Sequence, residues 1–302
     1  MPASDVARPR GAVLGAAAVL TMIGVGLCQV LAEPEASSWA GAVVIAALCL
    51  LLGLGTLPLI GGRDTVPLIA GAAGVWGAAS VVGGWLQIAQ RAGESVFEVG
   101  VGDVTASVET GLPVLVGVLG ALAVFGWCLA ATRGDPPILL VAVIASLGIL
   151  AVSVTGHGTD SSWAPIVIGV HALCAAWWAG TLVALVATVR GKGGWARALP
   201  EFSRWALPVV AVLTATGIVA AVAQLGVGPQ LWESGYGRVV VAKSVLLVAV
   251  LGLAWWHRRT WLPRARRHGA AERESIVHAG SEVLVLAVVL GLAAGLATTA
   301  TV

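Results

Sequence analysis

The sequence predicts an all-α, polytopic transmembrane helix bundle. Three observations predict it. Of the 302 residues, 58% are hydrophobic and only 11% charged, and the mean hydropathy is +0.96, which excludes a water-soluble domain of this size. The apolar runs have the length of about 20 residues that a helix needs to cross a hydrocarbon core of about 30 Å. They also lack the short alternating segments of a membrane β-barrel.

Nine runs can be read: Gly11 to Leu31, Ser38 to Ile60, Pro67 to Gln90, Ser107 to Thr132, Pro136 to Gly156, Trp163 to Arg190, Trp205 to Leu225, Tyr236 to His257 and Ile276 to Thr301. Positive loops stay cytoplasmic. An N-in, C-out topology sends fourteen of the 17 Lys and Arg residues inside, from Arg8 to Arg273, leaving Arg91, Arg238 and Lys243. The outer loops carry Glu33, Glu35, Glu94, Glu98, Asp103, Asp160 and Glu233 instead. The first run ends in Val30-Leu31-Ala32, similar to a signal-peptidase site, so nine spans become eight if it is cleaved. Its apolar core exceeds the ~7–15 residues of a signal sequence.

The loops are short, so no soluble domain is expected. The chain divides into an N-terminal four-span region, 1–135, and a five-span region, 136–302. The segment from Gly191 to Arg204 reads as an interfacial strap anchored by Trp195 and its basic residues. The basic run from His257 to His268 suits anionic lipid. Small residues spaced four apart, Ala70-Gly74-Ala78, Ala172-Ala176-Gly180 and Ala287-Gly291-Gly295, predict close helix crossings. Cys28, Cys49, Cys128 and Cys174 show no metal or redox spacing and read as packing residues. A net charge of +2 gives no reason to expect a nucleic-acid partner.

Ionisable groups at membrane depth mark functional sites, and the stretch Gly156 to Leu182 holds two. His157 sits between glycines at a span end, with Asp160 and Trp163 following. His171 lies about 12 Å below the outer end of the next span. A hairpin would bring both imidazoles to similar depth as metal ligands, and Cys174, Trp178 and Thr181 share a face with His171 by helical spacing. Two histidines with a carboxylate suit Cu(II), Zn(II) or a proton relay. With only Met1 and Met22, a methionine-lined Cu(I) path is excluded. Lys243, Glu109 and Tyr236 fall near the same depth as metal or neighbouring groups. Glu282 and His278 form a candidate inner-side site, for which a partner such as Arg204 or Arg258 is expected.

The segment GHG followed by VHALCAAWWAGTLVAL resembles the signature of the CopD copper-resistance family, bacterial inner-membrane proteins. The resemblance continues through EFSRWALPVVAVLTATGIVAAVAQL, SGYGRVVVAKSVLLVAVLGLAWWHRR and the last span with Glu282, covering about Val141 to Thr301. The first four spans resemble, more loosely, actinobacterial members. His157, His171, Trp178, Gly180, Tyr236, Gly237, Lys243 and Glu282 occupy family positions, with Thr181 in place of a second glycine. The resemblance implies a non-enzymatic protein of the cytoplasmic membrane, without catalytic residues. It would capture copper ion at the periplasmic face and import it or pass it to a periplasmic copper-binding or oxidase-assembly partner. Two other classes stay open: a b-type haem membrane oxidoreductase, and an assembly factor for a respiratory complex.

Overall fold

The computed structural model describes residues 4–61, 65–93, 95–99, 108–155, 163–226, 228–267 and 271–299. They form a bundle of nine main helices: α1 (Ser4–Ala32), α2 (Ser38–Thr56), α3 (Val66–Ala92), α4 (Val108–Ala131), α5 (Leu139–Thr155), α6 (Ala164–Thr188), α7 (Gly191–Leu225), α8 (Gly235–Arg266) and α9 (Glu272–Leu296). A 3₁₀ turn, Leu57–Ile60, follows α2, and the turn Gln230–Glu233 precedes α8. No strand occurs among the described residues. Eight helices are long and apolar enough to cross a membrane. The ninth, α5, has 17 residues, the lower end of the usual spanning range of about 17–25.

The chain is a multi-pass membrane protein, and its surface follows the rule that lipid-facing helices expose apolar side chains. Exposed tryptophans gather at both ends of the bundle: Trp39, Trp85, Trp163 and Trp232 at one, Trp205, Trp255 and Trp256 at the other. Amphipathic indoles favour the two membrane–water interfaces. At the second end Arg259 lies 4.3 Å from the Trp255 ring centroid and Arg204 5.3 Å from that of Trp205, a cation–π pairing suited to the headgroup layer.

Helix α2 is the central post, packed by α3, α5, α6 and α9. Its closest neighbour, α6, crosses it where Gly53 meets Gly180. A Cβ on Gly180 would overlap the Cys49 carbonyl, and one on Gly53 would overlap the Gly180 backbone. With no hydrophobic drive between helices in lipid, such close approach supplies the dispersion contacts that hold them. Thr181, wholly buried, lies at this crossing. Helix α1 packs along α9 in the same manner through Gly24 and Gly291. The predicted stripes on α6 and α9 are therefore contact faces. The one on α3 is so only in part: Ala70 packs on the core and Gly74 lies against Phe125, but Ala78 is exposed, and the most buried face runs through Ile69, Ala73, Trp76 and Ser80. Trp76 decides this, because its ring fills notches left by Gly120 on α4 and Gly148 on α5.

Two segments differ from the sequence reading. Gly191 to Arg204 is no separate strap but the first part of α7, which continues through Pro200 and Pro208. At 35 residues, α7 is about 52 Å long, so its first turns extend past the hydrocarbon core of about 30 Å. Trp195 there is buried and tilts against Trp261, ring centroids 6.1 Å apart. Likewise α8 runs on through His257 to Arg266, and His257, Trp261, Leu262 and Ala265 turn inward. An apolar face at helical spacing runs through the basic stretch and packs inward, while Arg259, Arg264 and Arg267 stay on its exposed side.

Candidate functional site

The bundle has two polar places, one near each end. At the end where α1 and α9 finish, α6, α7, α8 and α9 enclose, with α2 and α5, a cavity of about 640 Å³. His171, Trp178, Tyr236 and Lys243 line it together. Cys174 is not among its lining residues and packs on the main core. His157 and Asp160 lie outside the described residues, as does the side chain of Glu109.

His171 Nδ1 donates to the Leu213 carbonyl oxygen at 3.0 Å and lies 3.3 Å from Thr216 Oγ1. A carbonyl oxygen only accepts, so Nδ1 carries the proton and Nε2 keeps its lone pair. That is the tautomer a metal-binding imidazole adopts when its second nitrogen is tied to a carbonyl. Gly217 makes the arrangement fit, since a Cβ there would stand 3.0 Å from His171 Cε1. The hydroxyls of Ser153, Thr214 and Ser244, which also line the cavity, turn back on carbonyls of their own helices. Gln224 Nε2 is buried there without a partner. Lys243 has no carboxylate within ion-pair distance among the described residues.

The Tyr236-Gly237-Arg238 motif builds the rim. Ser234 caps α8 by accepting from the Gly237 N–H at 2.9 Å, satisfying one of the orphan donors of a helix start. Gly237 passes so close to the preceding turn that a Cβ would overlap the Gln230 carbonyl. Arg238 donates to the Leu31 carbonyl at 2.8 Å and to the Glu233 carbonyl at 2.9 Å, fastening α8 to the end of α1. Tyr236 is buried beside Cys28 and Leu292.

At the opposite end, the candidate pair Glu282 and His278 gains a member the sequence reading missed. His257 Nδ1 lies 2.7 Å from Glu282 Oε1, both side chains 7% exposed. The expected partners of Glu282 are engaged elsewhere: Arg258 bonds Ser203 and Arg204 approaches Glu201 at 3.6 Å. The signal that could have found His257 is spacing: His257 and Trp261 share a helix face, as do Ser275, His278 and Glu282. The His257 and His278 ring centroids are 4.9 Å apart at 72°, and Trp261 stacks on His278 at 5.3 Å. Beside this cluster, buried Arg10 binds the Val186 and Val189 carbonyls and Glu272.

Among the described residues no three His, Cys, Asp or Glu side chains form a ready-made metal site. Residues 196–296, 101 of the 302, match the profile of the family described as copper resistance protein D (CopD). That segment spans α7 to α9 and contains Tyr236, Lys243, His257, His278 and Glu282, and stops short of His157 and His171. Neither a curated protein nor a solved structure matches the chain.

Proposed function

We propose that this protein handles copper at the bacterial cytoplasmic membrane, taking the ion at its periplasmic face through His157 and His171 and moving it inward or to a partner protein. The observation that carries this reading is the copper resistance protein D match over α7 to α9, the helices that wall the His171 cavity. The free Nε2 of His171 supports it, because neutral imidazole suits copper. Basic residues concentrate at the Arg10 end, which supports a cytoplasmic place for that end and a periplasmic one for the cavity.

Lys243 sets a condition on the chemistry. An ammonium across an apolar cavity repels a bound cation, so the site needs negative charge, the part the reading gives to Asp160. Copper is then the protein's cargo, and no residue is assigned a catalytic role.

The test is the purified protein in detergent, by visible spectrum and metal content, with and without His157→Ala and His171→Ala. Copper that disappears with either histidine is the expected result. A strong Soret band removes the copper reading in favour of a b-type haem protein, and copper retained by both variants removes the proposed site. A wild type free of both metal and haem leaves the assembly-factor reading.

A further inference from the structure

Of three carboxylates on α9 at the Arg10 end, two face an arginine and the third an imidazole. Glu272 binds the Arg10 guanidinium, and Glu274 lies 2.9 Å from Arg264. Glu282, the most deeply placed of the three along α9, faces only the imidazole of His257. A buried carboxylate is costly without positive charge beside it, so this one calls for a cation.

The ring nitrogens indicate which kind. His278 Nδ1 is 2.8 Å from the Glu274 carbonyl oxygen, which can only accept, so this Nδ1 is the donor and Nε2 bears a lone pair. His257 Nδ1 donates to Glu282, and in a neutral ring Nε2 is then the lone-pair nitrogen. Among the described residues neither Nε2 has a hydrogen-bond partner. Carboxylate-to-histidine and carbonyl-to-histidine bonds of this kind orient imidazoles for a metal. One ion bound at about 2.0–2.1 Å by two imidazole nitrogens keeps those nitrogens within ~4 Å of each other, and rings with centroids 4.9 Å apart are in reach of that arrangement. Two further polar atoms nearby are buried without partners: Ser275 Oγ, on the face of His278 and Glu282, and Trp261 Nε1, whose ring covers His278. Orphaned atoms around a cluster call for an ion or a water.

We infer that His257 and His278 form a second metal site at the cytoplasmic end, taking one Cu(I) through their Nε2 atoms while Glu282 orients His257 and balances the charge. A monovalent ion leaves the group neutral, whereas a divalent one leaves it charged in a dry setting. The inference rests on the copper reading and gives the ion a place to arrive on the far side of the bundle. Glu282 is a positioning residue here and His257 and His278 are the ligands.

Anaerobic Cu(I) titration of the detergent-solubilised protein against a chromophoric competitor tests it. The wild type is expected to bind two equivalents. His257→Ala and His278→Ala each lose one, His171→Ala loses the other, and Glu282→Gln keeps both with one weakened about 10–100-fold. Gel filtration and circular dichroism establish folding, and the affinity shift in Glu282→Gln decides the matter if an alanine variant does not fold. A wild type with one equivalent that only His171→Ala removes overturns the inference and leaves the proposed function standing. Two equivalents kept by His257→Ala and His278→Ala also overturn it and show an ordinary imidazolium–carboxylate pair. One equivalent lost only from the His257 and His278 variants sustains the inference and leaves His171 to the metal analysis of the purified protein, which also detects Cu(II). No Cu(I) bound at all overturns the inference, and only the absence of copper in that metal analysis overturns the proposed function as well.

Discussion

The two ends of the bundle solve the problem of polar groups at membrane depth in opposite ways. At the Arg10 end Glu201, Glu272, Glu274 and Glu282 each face a cation or an imidazole, and two of these, Glu272 with Arg10 and Glu282 with His257, are largely buried. At the His171 end a cavity of about 640 Å³ holds nitrogens that no described group satisfies. The difference teaches where stability and where binding reside. The buried Arg10–Glu272 pair fixes helices, while unspent lone pairs and donors, in the hollow and on the His257 and His278 rings, are available to a ligand.

The comparison breaks most sharply at Arg10. Arg10→Met strands Glu272 and frees the Val186 and Val189 carbonyls, and removing one partner of a buried ion pair costs about 3–5 kcal/mol. Thermal unfolding in detergent should show that loss. A variant as stable as the wild type would mean that this end is as loosely coupled as the other.

Lys243 sharpens the other half. Lys243→Met removes a positive charge from the cavity wall, and at an effective dielectric of ~20 and a separation of ~10 Å that repulsion is worth roughly tenfold in cation affinity. Copper bound at His171 should tighten by about that factor, read from competition titrations at low salt. Weaker binding instead would make Lys243 a partner of the ligand, as an anionic or redox-active group requires.

Much of this contrast was legible in the sequence, though not evenly. Helix positions followed from apolar length, and the depth of His171, Tyr236 and Lys243 followed from counting turns, so their meeting in one cavity was foreseeable. The contacts at Gly53 with Gly180 and Gly24 with Gly291 were readable as small-residue faces. The His257 pairing was not, because HRRTWLPRARRH reads as a charge run, and composition hides the inward face of His257, Trp261 and Ala265. The α3 stripe misled in part for a related reason: small residues permit contact, as Ala70 and Gly74 do, but one large ring, Trp76, set the most buried face and left Ala78 outside it.

A smaller effect is expected at Gly217. A methyl group there stands 3.0 Å from His171 Cε1 and 3.3 Å from Nδ1, so Gly217→Ala pushes the ring off the Leu213 carbonyl. Losing the bond that fixes the tautomer, worth about 1 kcal/mol, lowers copper affinity roughly fivefold, measurable by the same titration.

The smallest effect closes the comparison. His171→Ala gives up one hydrogen bond to Leu213 and little packing, since its ring borders open volume rather than filling a core. The expected loss of stability is about 1 kcal/mol or less, several-fold below that of Arg10→Met, although the same substitution removes bound copper. Thermal unfolding of the two variants side by side reads the contrast directly. If His171→Ala unfolds the protein as Arg10→Met does, His171 is a structural strut between α6 and α7, and the cavity end is held together by the imidazole that was assigned to its ligand.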